Sequence, residues 1–309
     1  MKNIIDPIDL DLLKSELTKE KFVRDTTSGN NSIYMIDAHN APNTMLEIGR
    51  LRELTFRAAG GGTGEEVDID EYDTSEVPFK QLIVWSNNAN EIISAYRFVI
   101  GKDVPLDQNG YPHTPSSKLF YFSEKFIQNQ WQECIELGRS FVQPKYQASN
   151  NFRESLFALD NIWDGLGALI VNNPSAKYFF GKMTMYNQYN RIARNMILNY
   201  LAKHFQGDPE LVHPFKTVET ERGIDSIKQV FSNSGNSIKE DFKILNQNIR
   251  DLKVSIPPLI KTYISLTSTM QYFGVSPNEE FGPVEEICIL IKIADIYENK
   301  KIRHVYSYH

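Results

Sequence analysis

The residues best suited to chemistry gather in one short run, Ile135 to Val142, which reads IELGRSFV. A carboxylate, Glu136, and a guanidinium, Arg139, stand three residues apart there among Ile135, Leu137, Phe141 and Val142. In a regular strand, alternation sends the two side chains to opposite faces, whereas a bulge resets the register and brings both into one cleft. Gly138 lies between them, and a glycine inside a strand marks a bulge or a close backbone approach to a ligand. A surface strand carrying two solvated charges is the competing reading of these eight residues. A bulged strand followed by a loop and a long helix suits a site where a ligand's thioester or phosphate end meets backbone donors. Its N–H groups can aim at a carbonyl oxygen while the carboxylate stands ready as a base.

Other chemistries find less support. His39, His113, His204, His213, His304 and His309 are scattered, and neither HExxH nor GxSxG occurs, which argues against a zinc site and a serine hydrolase. The glycine run Gly60 to Gly64, GGGTG, lacks the GK[ST] ending of a phosphate loop and follows a helix, so it reads as a flexible lid or a helix stop. Asp68, Asp70, Glu71 and Asp73 crowd the run EEVDIDEYD without the spacing of a calcium loop. They form either an acidic pocket for an amine or a solvated loop. Arg97 interrupts an apolar strand, so it is either exposed or paired inside a site.

The elements that must position these residues follow from periodicity. Residues 6 to 24 read as a helix capped by Asp9, with Leu10, Leu13 and Leu17 as its stripe and Lys19, Lys21 and Arg24 at its C-terminal end. Ser32 to Asp37 suits a short strand. Met45 to Ala59 suits a helix with Leu46, Gly49, Leu54 and Ala58 on one face. Lys80 to Ser86 and Glu91 to Ile100 form a hairpin across NNAN. Lys102 to Ser117 reads as a surface loop, and Leu119 to Gln132 as a short apolar segment leading into a helix. Ser149 or Asn150 caps a helix reaching Val171, whose stripe is Phe152, Leu156, Leu159, Trp163, Leu166 and Ile170. A strand from Tyr178 to Met185 and a helix from Asn190 to Phe205 complete an α/β layered order. Residues 206 to 255 are polar apart from a helical stretch at Ile238 to Leu252. The segment IPPLIKTYISLTS then enters a helix and ICILIKIADI a late strand, which adds to the same sheet because this third has little apolar sequence for a core of its own.

Composition sets the outer bounds. With 309 residues, 41% of them hydrophobic, the chain can bury a sizeable core, and its formal charge of −6 argues against nonspecific binding to nucleic acid. Cys134 and Cys288 stand far apart in apolar sequence, which suggests no disulfide framework and fits a reducing compartment. Neither a signal peptide nor a bilayer-spanning stretch is recognisable. The expectation is a soluble cytoplasmic protein, with peripheral contact at the inner membrane face left open.

The ordered motifs EIGRLRELTFRAAGGGTG, DIDEYD, KQLIVW, SAYRFVIG and IELGRSFVQPKYQ resemble the GNAT-superfamily N-acyltransferases related to ornithine and glycine lipid synthases, often labelled hemolysin-like, in particular the Bacteroidetes-type glycine N-acyltransferases. The likeness runs from about Ile5 to Phe205, and IPPLIKTYISL is similar to the family's C-terminal part. The same constellation is similar to that of acyl-homoserine-lactone synthases, which also use acyl carrier protein. In that pattern an arginine and a phenylalanine correspond to Arg52 and Phe56, paired acids to Asp70 and Asp73, a strand arginine to Arg97, and the ExxR to Glu136 and Arg139. Two departures stand out. GGGTG replaces a tryptophan after the first helix, and QPKYQASNN lacks the RxxGxG loop of coenzyme-A-dependent GNAT enzymes. The second departure favours a carrier-protein thioester over acetyl-CoA, because its pantetheine needs no adenosine site.

The resemblance implies a GNAT-like mixed central sheet flanked by helices. Residues 1–45 would form an N-terminal helical arm, 46–205 the acyltransferase core and 206–309 an extension packed on the same sheet. It implies transfer of a long, 3-hydroxylated or plain, fatty acyl group from acyl carrier protein to the amine of a small amino acid, glycine first, in amino-acid lipid synthesis. No bound cofactor or metal is expected, and acyl-CoA remains a second donor. Glu136, Arg139 and Tyr189 are the catalytic set, with Glu136 as base and Tyr189 as acid for the leaving thiolate. Arg52, Phe56, Asp70, Asp73 and Arg97 would hold the acceptor. Phe141, Val142, Gln143, Lys145 and Tyr146 would hold the acyl donor, with N–H groups around Phe141 and Val142 on the oxyanion. Lys145, Arg153, Lys182, Arg191 and Arg194 are candidates to meet the acidic carrier protein. The rival readings are an acetyl-CoA-dependent enzyme acting on a small amine and a non-enzymatic membrane-active protein.

Overall fold

The computed structural model describes residues 1–147, 152–218, 231 and 236–308, the side chains of 152–156 and 159 excepted. Ser149 and Asn150 therefore lie outside the described residues, as do the side chains of Arg153 and of Phe152, Leu156 and Leu159 in the expected stripe. The strands are β1 (Phe22–Asp25), β2 (Asn31–Ile36), β3 (Lys80–Ser86), β4 (Glu91–Ile100), β5 (Phe120–Phe122), β6 (Cys134–Val142), β7 (Tyr178–Tyr186), β8 (Val212–Pro214), β9 (Gln271–Asn278) and β10 (Val284–Lys292). Eight of them form one sheet in the order β1-β2-β3-β4-β6-β7-β10-β9, and β5 pairs with β8 apart from it. Among the described residues, only β6 and β7 of that sheet run parallel. This is a mixed α/β sheet flanked by helices, consistent with a GNAT fold.

Helices α1 (Leu10–Glu16), α2 (Pro42–Ala58), α3 (Glu71–Thr74), α4 (Glu124–Asn129), α5 (Phe152–Asn172), α6 (Arg191–Phe205), α7 (Ile238–Asp251), α8 (Pro258–Ile264) and α9 (Glu298–His304) surround the sheet. Strand β3 shows why both faces are covered. Leu82 and Val84 pack with Ile162, Leu166 and Leu169 of α5, whereas Ile83 and Trp85 pack with Ile48 and Leu51 of α2. The near-continuous apolar run KQLIVWS is what two buried faces require. An aromatic cluster of Phe120, Phe122, Phe126, Trp131 and Phe180 closes the end of the sheet near β5.

Two helices depart from expectation. Helix α1 is capped by Asp9 as anticipated but stops at Glu16, and the chain enters β1 at Phe22, so Lys19, Lys21 and Arg24 do not decorate a helix end. Pairing with β2 wins over local helical preference there. Helix α2 starts at Pro42, which suits a first helical position, and its buried side is Met45, Ile48, Leu51, Arg52, Thr55 and Phe56. Leu46, Leu54 and Ala58 point outward, contrary to the expected stripe. Strands β8 and β9 lie where the sequence offered no clear strand signal. Strand β10 inserts between β7 and β9, so the C-terminal region joins the main sheet. Among the described residues no helix is long and apolar enough to cross a membrane.

Candidate active site

The site begins with a bulge in β6. Ala95 faces Phe141 and Arg97 faces Gly138, so three steps along β6 span two along β4. Arg139 takes the strained conformation, with φ 47°, whereas Gly138 is not among the glycines with positive φ. Left-handed backbone costs a side-chain-bearing residue roughly 1–2 kcal/mol, which the contacts of Arg139 must offset. The parallel ladder between β6 and β7 ends at Leu137 and Gly181, although both strands continue beyond it. A cavity of about 260 Å³ opens past that last pair. Glu136 and Arg139 both line it, the outcome that a bulge near Gly138 was expected to produce.

Behind the cavity lies a buried lattice of charges. Arg52 Nη1 donates to Asp73 (2.9 Å) and to the Asp68 carbonyl (3.3 Å), and Nη2 donates to Gln81 (2.6 Å). Arg97 Nη1 donates to Asp70 (2.6 Å) and Asp73 (3.1 Å). Arg139 Nε lies 2.9 Å from Asp68, and its guanidinium sits 4.1 Å from the centre of the Phe281 ring. Burial works against the charge on Asp70, but Arg97 outweighs it and holds the carboxyl well below its usual range. Burial prevails at Asp68, whose carboxyl is pushed up despite Arg139. Arg97 is likewise penalised by burial, yet Asp73 and Asp70 raise it further above its ordinary value.

This lattice divides the expected acceptor set. Phe56 and Arg97 line the cavity, whereas Arg52, Asp70 and Asp73 do not. Arg52 and Asp73 have no exposed surface and serve to hold Arg97, while Asp70 caps α3 through the N–H groups of Tyr72 and Asp73. Nor is GGGTG a phosphate cradle. Gly60 at φ 92° follows the last turn of α2, and the N–H groups of Thr63 and Gly64 donate to Glu53, a buried carboxylate of α2. The helix-stop reading accounts for it.

Glu136 is held from one side. Its Oε1 accepts from Ser116 Oγ at 2.5 Å, and Ser116 Oγ in turn accepts from Lys182 Nζ at 2.9 Å. Its Oε2 is buried and has no hydrogen-bond partner. Ser116 lies in the segment read as a surface loop, yet it is fully buried. Lys182, grouped with the carrier-protein contacts, instead stands half-buried in the cavity wall, where loss of water pushes its ammonium pKa down against the pull of Glu136 and Glu286. Arg194 is buried on Glu285 (2.7 Å), which Arg191 also contacts (3.1 Å), so neither joins a free basic patch.

Tyr189 lines the cavity, but its hydroxyl donates to the Ser255 carbonyl (2.9 Å), and burial raises its pKa to about 12. Tyr186, absent from the expected set, lines the same cavity. The expected donor-binding residues lie outside the cavity lining, Phe141 and Val142 at the end of β6 and Gln143, Lys145 and Tyr146 in the turn that follows it. Gln143 bonds the Ile92 carbonyl through its side chain, and Lys145 and Tyr146 both bond Glu91. The Gln143 N–H donates to the Ile93 carbonyl (3.0 Å). Antiparallel alternation then turns Phe141 N–H toward β4 and Val142 N–H away from it.

Residues 51–155 match the family described as an acetyltransferase (GNAT) domain. The chain is 51% identical over 308 residues to the glycine N(alpha)-acyltransferase of Bacteroides thetaiotaomicron, a match that covers 100% of this chain and 91% of the relative. It is 48% identical over 308 residues to the glycine N(alpha)-acyltransferase of Phocaeicola vulgatus, covering 100% and 94%. No solved structure matches.

Proposed function

Because the chain belongs to the GNAT-superfamily N-acyltransferases, with the Bacteroidetes glycine N(alpha)-acyltransferases as relatives, we propose that it moves a long fatty acyl group from acyl carrier protein to the amine of glycine. The observation that carries this reading is Glu136, whose unpartnered Oε2 belongs to a carboxylate lining the cavity where β6 and β7 part. Glu136 takes a proton from the glycine ammonium. The neutral amine attacks the thioester carbonyl carbon, and the oxyanion is held by backbone N–H groups of β6 on the side that β7 has left. Collapse breaks the C–S bond, and the thiolate leaves with a proton supplied by Tyr189 once its hydroxyl releases Ser255. The amide nitrogen sheds its second proton to solvent.

Arg139 pairs with the glycine carboxylate, because it keeps 17% exposure in the cavity wall while Arg97 keeps 2%. Phe56, Phe79, Met185, Leu259 and Phe281 give the cavity an apolar side for the start of an acyl chain. The missing RxxGxG loop supports a carrier-protein thioester as donor, and the N-acylglycine product is an amphiphile suited to amino-acid lipid synthesis.

The test is Glu136→Gln assayed by mass spectrometry of N-acylglycine, with acyl carrier protein and coenzyme A thioesters compared side by side. The substitution is expected to lower kcat by roughly a hundredfold or more. Unchanged turnover would remove Glu136 as the base, and a preference for the coenzyme A thioester would overturn the donor.

A further inference from the structure

The bonds around Glu136 have a fixed direction. An ammonium only donates, so the 2.9 Å contact from Lys182 Nζ makes Ser116 Oγ an acceptor, and the single hydroxyl hydrogen must go to Glu136 Oε1. The string therefore runs from Lys182 through Ser116 to one carboxylate oxygen and leaves Oε2 as the unengaged one. Ser116 itself is anchored. Its carbonyl accepts the N–H groups of Leu119 (3.0 Å) and Phe120 (2.9 Å), and its neighbours Thr114 and Ser117 bond each other reciprocally. We propose that Ser116 and Lys182 are positioning residues for Glu136, fixing the torsion of its carboxylate and keeping the ammonium one hydroxyl away from the base.

Both parts follow from elementary chemistry. The terminal torsion of a glutamate is broad and roughly twofold, so an unheld carboxylate samples orientations that misdirect its lone pairs. Without the intervening hydroxyl, Lys182 can close on Glu136 as a direct ion pair, and an adjacent cation stabilises the ionised carboxylate and weakens it as a base. A serine is the smallest side chain that both spaces and bridges the two charges.

The proposal rests on Glu136 acting as the base, and the experiment separates the two claims. Full-length wild type, Ser116→Ala, Ser116→Thr, Glu136→Gln and the double variant Ser116→Ala/Glu136→Gln are assayed for kcat and for KM of glycine with an acyl carrier protein thioester. Ser116→Ala is expected to lower kcat about tenfold with KM for glycine nearly unchanged, as a misplaced catalytic group does, and Ser116→Thr is expected to restore most of it. In the Glu136→Gln background the same substitution should cost less than about twofold, because residues acting through one group are not additive. Full kcat in Ser116→Ala, or an equal loss in both backgrounds, would overturn the positioning role while leaving Glu136 as base. Unchanged activity in Glu136→Gln would instead overturn the base assignment. For Lys182, Lys182→Met should lower kcat without raising KM, and a rise in KM alone would place it on the glycine carboxylate and remove it from the string.

Discussion

Arg52 never reaches the cavity, yet it fixes what does. It shares Asp73 with Arg97, so the guanidinium in the cavity wall is held through a carboxylate that a second, wholly buried arginine also grips. Removing one partner of a buried ion pair leaves the other charge uncompensated, at a cost of about 3–5 kcal/mol. Arg52→Met is therefore expected to lower unfolding stability in urea by about 3 kcal/mol, toward the small end because Arg97 and Gln81 still contact Asp73. A change below about 0.5 kcal/mol would show that Arg97 alone carries the lattice. The types and order of Arg52, Asp70, Asp73, Arg97, Glu136 and Arg139 were legible in the sequence, but their depth was not, since tertiary packing decides which arginine lines a cavity and which stands behind it. Ser116 had no signal, because a serine in a Pro- and Gly-rich loop looks like any turn residue. Lys182 had one: it interrupts an apolar strand and shares a face with Thr184 and Tyr186, as Arg97 interrupts β4.

Between elements, the cleft depends on where β6 and β7 stop pairing. A Cβ added to Gly181 would stand 2.7 Å from the Leu137 carbonyl oxygen, a backbone atom of the last paired residue on β6. Gly181→Ala is thus expected to part the strands one pair early, costing about 1–3 kcal/mol and lowering both the thermal midpoint and kcat. Gly138→Ala is the control, since its added Cβ meets nothing nearer than Arg97 Nε at 4.0 Å. Equal losses in the two variants would sink this account of the splay. The glycine in IELGRSFV pointed to a bulge of the right strand but not to the residue that bends, because Arg139 is held at φ 47° by Asp68 and Phe281, partners distant in the chain. Periodicity misplaced the buried side of α2 for a related reason: Glu47, Arg52 and Glu53 are buried on partners of their own, Arg50 for Glu47, Asp73 and Gln81 for Arg52, and Arg57 and Thr63 for Glu53, instead of facing water.

At the scale of the whole molecule, α9 ties distant parts of the chain together. His304 Nδ1 lies 2.8 Å from Asp164 of α5, and Asp164 also accepts from the Thr27 N–H (2.8 Å) and hydroxyl (2.9 Å) in the turn between β1 and β2. Burial opposes the charge on Asp164, but His304 and Thr27 outweigh it and hold its carboxyl below the ordinary range. A depressed folded-state pKa contributes stability that is present above the unfolded value, near 4 for aspartate, and is lost as pH falls through the folded one. Asp164→Asn is expected to lower the thermal midpoint at pH 7, and the gap from wild type should narrow as pH falls below about 4. A gap independent of pH would mean that the carboxylate's charge contributes nothing. The late strand in ICILIKIADI was legible as one more member of the sheet, but its place was not, since nothing local in a fully buried run says which neighbours it will take. That place governs the order in which the protein can be made. Strand β7 receives its second neighbour only when β10 emerges, roughly a hundred residues later, or about 5–20 s of ribosomal synthesis. Through that interval the growing chain carries the wall of its future reaction chamber as a bare, apolar strand edge, the kind of surface on which strands of other chains add.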